Sequence, residues 1–324
     1  MLKLFADIFG HAQEAHPGKL PPALVDTVIE RAVDGTDPRL RIVGGYKKAL
    51  KNSVVHAADY IVGIVDGLPA PVAAGKAAFA TNPCFAAMLY SEEVMEDLVS
   101  RDAAMKEFRA LHGPNEATVT ALLIAQRVEK HGFGYGKLGD QTVADVPQTT
   151  VSFEQRRFLE PSFDEKETRR LLQRRAFDHL LSVALEHIAD CREERESLKV
   201  RRALLRSKLD IMQRSGGFTQ HAASAEQAKL QADLDRIEQE LAALGPSEDV
   251  LASNLDTVVD VLSTAENHLW LEETTLCLDQ FYVLHDRPGP SAPAIVFNDL
   301  RDSAGRQASL LLLNVPVAPK TADQ

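Results

Sequence analysis

Cysteine is scarce in this chain, with Cys84, Cys191 and Cys277 the only three in 324 residues. They are odd in number, far apart and in no metal or redox spacing, which fits a reducing cytoplasm. The expectation is three small, buried apolar side chains. No stretch approaches the roughly 18 apolar residues of a membrane span, so none is expected. The apolar start of the chain is broken by Asp7 and followed by His11, Glu14 and Pro17, without the core of a secretory signal. A short helix over 2–9 in a soluble, cytoplasmic protein is the resulting expectation. Positive charge is also in deficit: 36 Lys and Arg against 47 Asp and Glu leave a net charge of −11. That balance argues against a surface dedicated to nucleic acid or to anionic membrane.

Motifs that fix a reaction are missing as well. Gly134-Tyr135-Gly136-Lys137-Leu138-Gly139 satisfies GxGxxG, but 140–151 contain Pro147 and no helical pattern, so a glycine-rich β-turn is the better reading. Gly75-Lys76 lacks the rest of a phosphate-binding loop. His179, His187 and Cys191 share one ridge of a helix at multiples of four, a spacing that can chelate zinc, yet their closeness to an apolar seam favours packed or boundary residues. His56 with Asp59 and Tyr60, and His268 with Glu272, have the spacing of simple hydrogen-bonded pairs. The basic cluster Arg39, Arg41, Lys47, Lys48 and Lys51 reads as a solvated helix face. No cofactor or metal is expected.

Periodicity is plentiful. Residues 1–115 read as short helices with tight connections, punctuated by Gly35, Gly67, Pro69 and Pro83. From 118 to 160 the texture turns β-branched and aromatic, as in Thr149-Thr150-Val151-Ser152-Phe153, although 122–128 also suits a buried helix. Near the other end, two apolar runs flank Ser303-Ala304-Gly305-Arg306, a hairpin turn.

Between the β regions lies the strongest signal. Phe177, Leu181, Ala184, Ile188, Cys191, Arg195, Leu198, Arg202, Leu205, Leu209 and Met212 step by four and three, which is a heptad seam. Ser162 and Glu165 form a capping-box pattern ahead of it, and Gly216-Gly217 ends it. A helix of this length spans about 75 Å. A second seam follows at Leu230, Leu234, Ile237, Leu241 and Leu244, then Gly245-Pro246. A third runs through Leu251, Leu255, Val258, Leu262, Ala265, Leu269 and Leu276. Charge supports pairing: residues 221–286 carry 14 acids and two bases, whereas the distal first helix is basic. Folding back at Gly216-Gly217 sets Arg202 near Asp233 and Asp235, Arg195 near Glu238 and Glu240, and Arg174 near Asp256 and Asp260. These pairs are expected to fix register.

The resulting fold class is mainly α with a small antiparallel β-sheet, an α+β arrangement. Its parts are a helical domain over 1–115, a sheet from 116–161 and 287–317, and a coiled-coil hairpin over 162–286 with a distal arm at about 192–243. The function this shape suggests is protein–protein interaction or scaffolding through the arm, with another protein or a second copy, as a homodimer. The alternative is an enzyme or small-molecule binder with a pocket between the N-terminal helices and the sheet.

Overall fold

The computed structural model describes residues 24–113, 118–138, 141–215, 220–244 and 250–316. The expected N-terminal helix, the Gly216-Gly217 tip, Gly139 and the Gly245-Pro246 break lie outside them. In order, the chain forms α1 (Val25–Gly35), a 3₁₀ turn (Pro38–Ile42), α2 (Tyr46–Asp66), β1 (Val72–Ala73), α3 (Lys76–Thr81), α4 (Pro83–Leu89), α5 (Glu92–Arg101), α6 (Ala103–His112) and the paired strands β2 (Thr118–Leu138) and β3 (Gln141–Ser162). It continues with the long α7 (Glu165–Ser215), α8 (Gln220–Ala243), α9 (Val250–Ser263), β4 (Leu269–Leu278), β5 (Leu284–His285), β6 (Ala294–Asp302) and β7 (Gln307–Pro316). The class is α+β, with the long helix between β3 and β4. Among the described residues no helix is long and apolar enough to cross a membrane.

The described residues gather into two compact units, one from 58–177 and 265–316, the other from 24–57 and 178–264. The segments expected as a helical domain and as a coiled-coil hairpin are each divided between the two units, while the described residues of the expected sheet segments fall in the first.

The first unit is built on one seven-stranded sheet in the order β3-β2-β7-β6-β4-β5, with β1 parallel to β7 and the remaining pairs antiparallel. A bridge between Thr150 and Val283, and the Val151 N–H donated to the Tyr282 carbonyl at 2.9 Å, join the two ends of that order. What lets a 22-residue strand bend this far is visible in its backbone. β3 shifts register against β2 three times, and the extra residues Asp145, Gln155 and Glu160 all have positive φ. Each is a β-bulge, which bends a strand and tightens its twist. The enclosed face is apolar, formed by Val119, Ala121, Leu123, Phe153, Phe158, Phe297 and Leu313 with Phe85, Met88 and Met105 from the helices. Asp102 fastens the two layers: one oxygen caps α6 through Met105 N–H at 3.0 Å, and the other accepts Phe158 N–H at 3.0 Å.

Helical spacing misleads at 265–286. The four-three rhythm predicts a third helix continuing through Leu269 and Leu276, but α9 stops at Ser263 and β4 begins at Leu269. Seven positions apart is an odd number, so on a strand these leucines point to opposite faces. The β-branched Thr274-Thr275 and Trp270 favour that strand. The sheet is thus larger than the small one expected from 116–161 and 287–317. The capping residue of α7 also differs: Asp164, not Ser162, accepts the Lys166 N–H, at 3.1 Å.

The second unit is helical. Arg31 of α1 is paired with Asp178 of α7. Gly35 leaves room for Leu181, since a Cβ there would lie 2.6 Å from Leu181 Cδ1. Asn254 of α9 donates to the Asp37 carboxylate at 3.2 Å. Buried Leu255, Val258 and Leu262 follow the seam read from sequence.

Candidate interaction surface

Within the second unit, α7 and α8 run antiparallel. Arg206 is paired with Glu238, and eleven residues earlier on α7 the Arg195 guanidinium donates to the carbonyl of Leu244, just past the end of α8. The inner seam is where the four-three pattern put it. Ile188, Leu198 and Leu209 of α7 and Leu234 and Ile237 of α8 are buried, while Arg202, Leu205, Met212, Leu230 and Leu241 are half-buried. Arg195 itself is buried. A cation against the last carbonyls of a helix satisfies an acceptor and opposes the negative end of the helix dipole.

The residues expected to fix register are placed as follows. Glu238 is brought to Arg206, so the returning helix is displaced toward the C-terminus relative to a fold-back at Gly216-Gly217 itself. Asp233 pairs with Arg236 on its own helix at 2.8 Å, and Asp235 accepts from Gln231 at 2.9 Å. Glu240 and Asp260 are exposed and Arg174 is half-buried. The third candidate chelator, Cys191, is exposed rather than buried. It lies one turn beyond Arg195, which is already level with the end of α8, so the returning helix no longer covers it. His187 is exposed and His179 half-buried. Among the described residues no group of three or more His, Cys, Asp or Glu is arranged to hold a metal ion.

Sequence reading missed what lies on the opposite face of α7. Val200, Leu204 and Ile211 are 70%, 54% and 60% exposed, far outside the range of core residues. With Ser197 and Ser207 they step by three and four, forming a second heptad row back to back with the first. The signal was present in sequence but overshadowed by the stronger inner seam. One rim of this row carries Arg201 and Lys208, the other Glu196 and Asp210, all exposed. Such a row can bury apolar area only against something outside the α7–α8 pair.

The first unit holds a second candidate, a cleft of about 340 Å³ between α3, α4 and the β4–β6 end of the sheet, lined by Phe79, Pro83, Ala86, Leu278, Tyr282 and Ile295. Asp279 stands at its edge. Burial pushes the Asp279 carboxyl pKa up, but His285 at 3.1 Å and the Val283 and Phe281 N–H groups outweigh that and hold it below the usual carboxylate range. These donors tie Asp279 into its own turn. Tyr282 likewise donates to the Ala86 carbonyl at 3.3 Å.

A third candidate is a polar group on the enclosed face of the sheet. Asp299, fully buried, accepts from Arg127 at 2.6 Å, Ser309 at 2.6 Å and Gln307 at 2.8 Å. Burial, aided by the charge of Asp299, pushes the nearby Cys84 thiol up to about 12. That thiol is held in its unreactive form.

No family model matches the chain, and no curated protein or solved structure matches it either.

Proposed function

We propose that this chain is a non-enzymatic interaction or scaffold protein that engages a protein partner through the outward row of α7. The observation that carries this reading is the exposure of Val200, Leu204 and Ile211 in heptad rhythm on a helix whose opposite face is already occupied. Solvent-facing apolar residues scattered singly are ordinary, but a contiguous stripe marks a binding surface. A helix presenting anchors at this spacing recognises other helices or helical grooves. Cross-linking mass spectrometry on the full-length chain in its native extract tests it. Cross-links to partners should concentrate on Lys199 and Lys208 and vanish when Val200, Leu204 and Ile211 are replaced by serine. Cross-links that map to the sheet unit and survive those replacements would sink the reading.

The cleft beside Phe79 and Tyr282 favours one alternative, a small-molecule site between the helices and the sheet. Its volume sits at the small end of ligand pockets. Native mass spectrometry that finds a stoichiometric ligand, lost on Ala86→Trp, would support that alternative.

A further inference from the structure

We infer that the partner of the outward row is a second copy of this chain, paired in parallel and in register. This rests on the reading of Val200, Leu204 and Ile211 as a docking surface. The choice of occupant and direction comes from the rims. In heptad terms Ser197, Leu204 and Ile211 take the a-type positions of the outward row, and Val200 and Ser207 the d-type positions. Arg201 and Lys208 then follow d, and Glu196, Ala203 and Asp210 precede a. An antiparallel pair brings like rims together, Arg201 and Lys208 against their own counterparts and Glu196 and Asp210 against theirs, which repel. A parallel pair instead brings the residue before a against the residue five positions later in the mate. That sets Glu196 on Arg201 and Ala203 on Lys208, twice each by symmetry.

The layers agree with this geometry. In register, Val200, Leu204 and Ile211 each meet themselves, with Ser197 and Ser207 as polar layers that penalise slippage. An unrelated acidic helix would satisfy Arg201 and Lys208 but would set its acids against Glu196 and Asp210. A mate with one basic and one acidic rim avoids that repulsion and adds the Glu196–Arg201 pair, and this row supplies it. Three apolar layers over about 20 Å of helix make a small interface, so the dimer is concentration-dependent.

The experiment uses the full-length chain with Cys191→Ser and Ser197→Cys. Parallel pairing brings the thiol introduced at position 197 against its own counterpart and gives a disulfide-linked dimer under mild oxidation. Antiparallel pairing through the same row separates the two thiols by roughly 25 Å and gives none. Sedimentation velocity over a concentration series should show a dimer whose dissociation constant rises at least about tenfold with Leu204→Glu plus Ile211→Glu. Both residues are more than half exposed, and unchanged helical circular dichroism confirms that the fold is kept. Arg201→Glu should weaken the dimer, and adding Glu196→Arg should restore it. A chain that stays monomeric at every concentration would overturn self-pairing while leaving the row open to another protein. A dimer unaffected by Leu204→Glu and Ile211→Glu would overturn both, and a dimer sensitive to them but without the disulfide at position 197 would overturn the parallel arrangement.

Discussion

The buried pair between Arg127 and Asp299 gives the sharpest test of how the sheet is held. The Arg127 side chain is 7% exposed and that of Asp299 0%, so neither charge can turn to water when the other is removed. Asp299→Ala leaves the guanidinium with only the exposed Glu129 carboxylate, 3.6 Å away, and deprives Ser309 Oγ and Gln307 Nε2 of their acceptor. Breaking a buried pair in this way costs about 3–5 kcal/mol. Replacing both partners by apolar residues of similar volume, Arg127→Met with Asp299→Leu, removes the charge-desolvation penalty along with the attraction and leaves the buried Ser309 hydroxyl as the main unsatisfied group, so the loss should shrink to about 1–2 kcal/mol. The assay is urea unfolding followed by fluorescence of Trp270, the only tryptophan of the chain, on β4 directly across from Arg301 of β6. With a slope of about 2 kcal/mol per molar urea, the Asp299→Ala midpoint should fall by roughly 1.5–2.5 M. A cost under about 1 kcal/mol for that single change would refute the account of a stranded charge. So would a double variant that loses as much as the two singles together.

Two further outcomes are expected. Asp37, buried at the start of the 3₁₀ turn, has its pKa lowered to about 2, first by hydrogen bonds from the Arg39 side chain, against the opposing effect of burial, with help from Arg39 N–H and Asn254. A depressed carboxyl contributes stability that is fully present above about pH 4 and lost as pH falls through about 2. Because Arg39 is 58% exposed, solvent screening reduces the contribution to about 1 kcal/mol. The gap in stability between parent and Asp37→Asn, read by helical circular dichroism, should close across that window. A gap unchanged at pH 2 would show that charge is not its source. At the exposed bulge residue Gln155, with φ of 49°, Gln155→Gly should add about 0.5–1 kcal/mol and Gln155→Val should remove a similar amount. Equal midpoints for all three in urea would remove strain as the explanation.

The helical seams were legible because each apolar position recurs locally, and Leu181, Ile188, Leu198, Leu209, Leu234 and Ile237 are buried as their spacing required. The hairpin turn at 303–306 was equally readable, with Gly305 at φ 77°. The strand at 269–278 was hidden because its leucines continue a heptad rhythm by coincidence, and only Thr274-Thr275 argued otherwise. The polar group at Asp299 has a signal in the alternation of three strands. Ile295, Phe297 and Asp299 share one parity, as do Leu123, Ala125 and Arg127, and Leu313, Leu311 and Ser309. Three strands that each turn from apolar to polar on the same face announce a buried polar row once their register is known. That register sets both Ala125 and Asp299 beside Ser309, pairing strands β2 and β7 that lie far apart in sequence, and no local alternation pattern encodes which strand pairs with which.

The two helices of the hairpin provide an internal control on the outward row. Both are long, both bury a four-three seam, and both expose the opposite face. On α8 the positions equivalent to Ser197, Val200, Leu204, Ser207 and Ile211 are Lys229, Ala232, Arg236, Gln239 and Ala243, all exposed and none larger in apolar character than alanine. If exposed apolar residues on α7 reflected a general tolerance of this hairpin for surface leucine, valine or isoleucine, α8 should carry them too. It carries small and long polar side chains instead, the usual choice for a face that meets only water. The apolar character is therefore specific to one face of one helix. Among the described residues, the other strongly exposed apolar side chains include Ile42, Leu111 and Phe133, each on a different element. Solvation alone explains α8 and leaves the periodic row of α7 unexplained, whereas a mate seated on that row accounts for its rhythm, its opposed rims and its absence from the neighbouring helix.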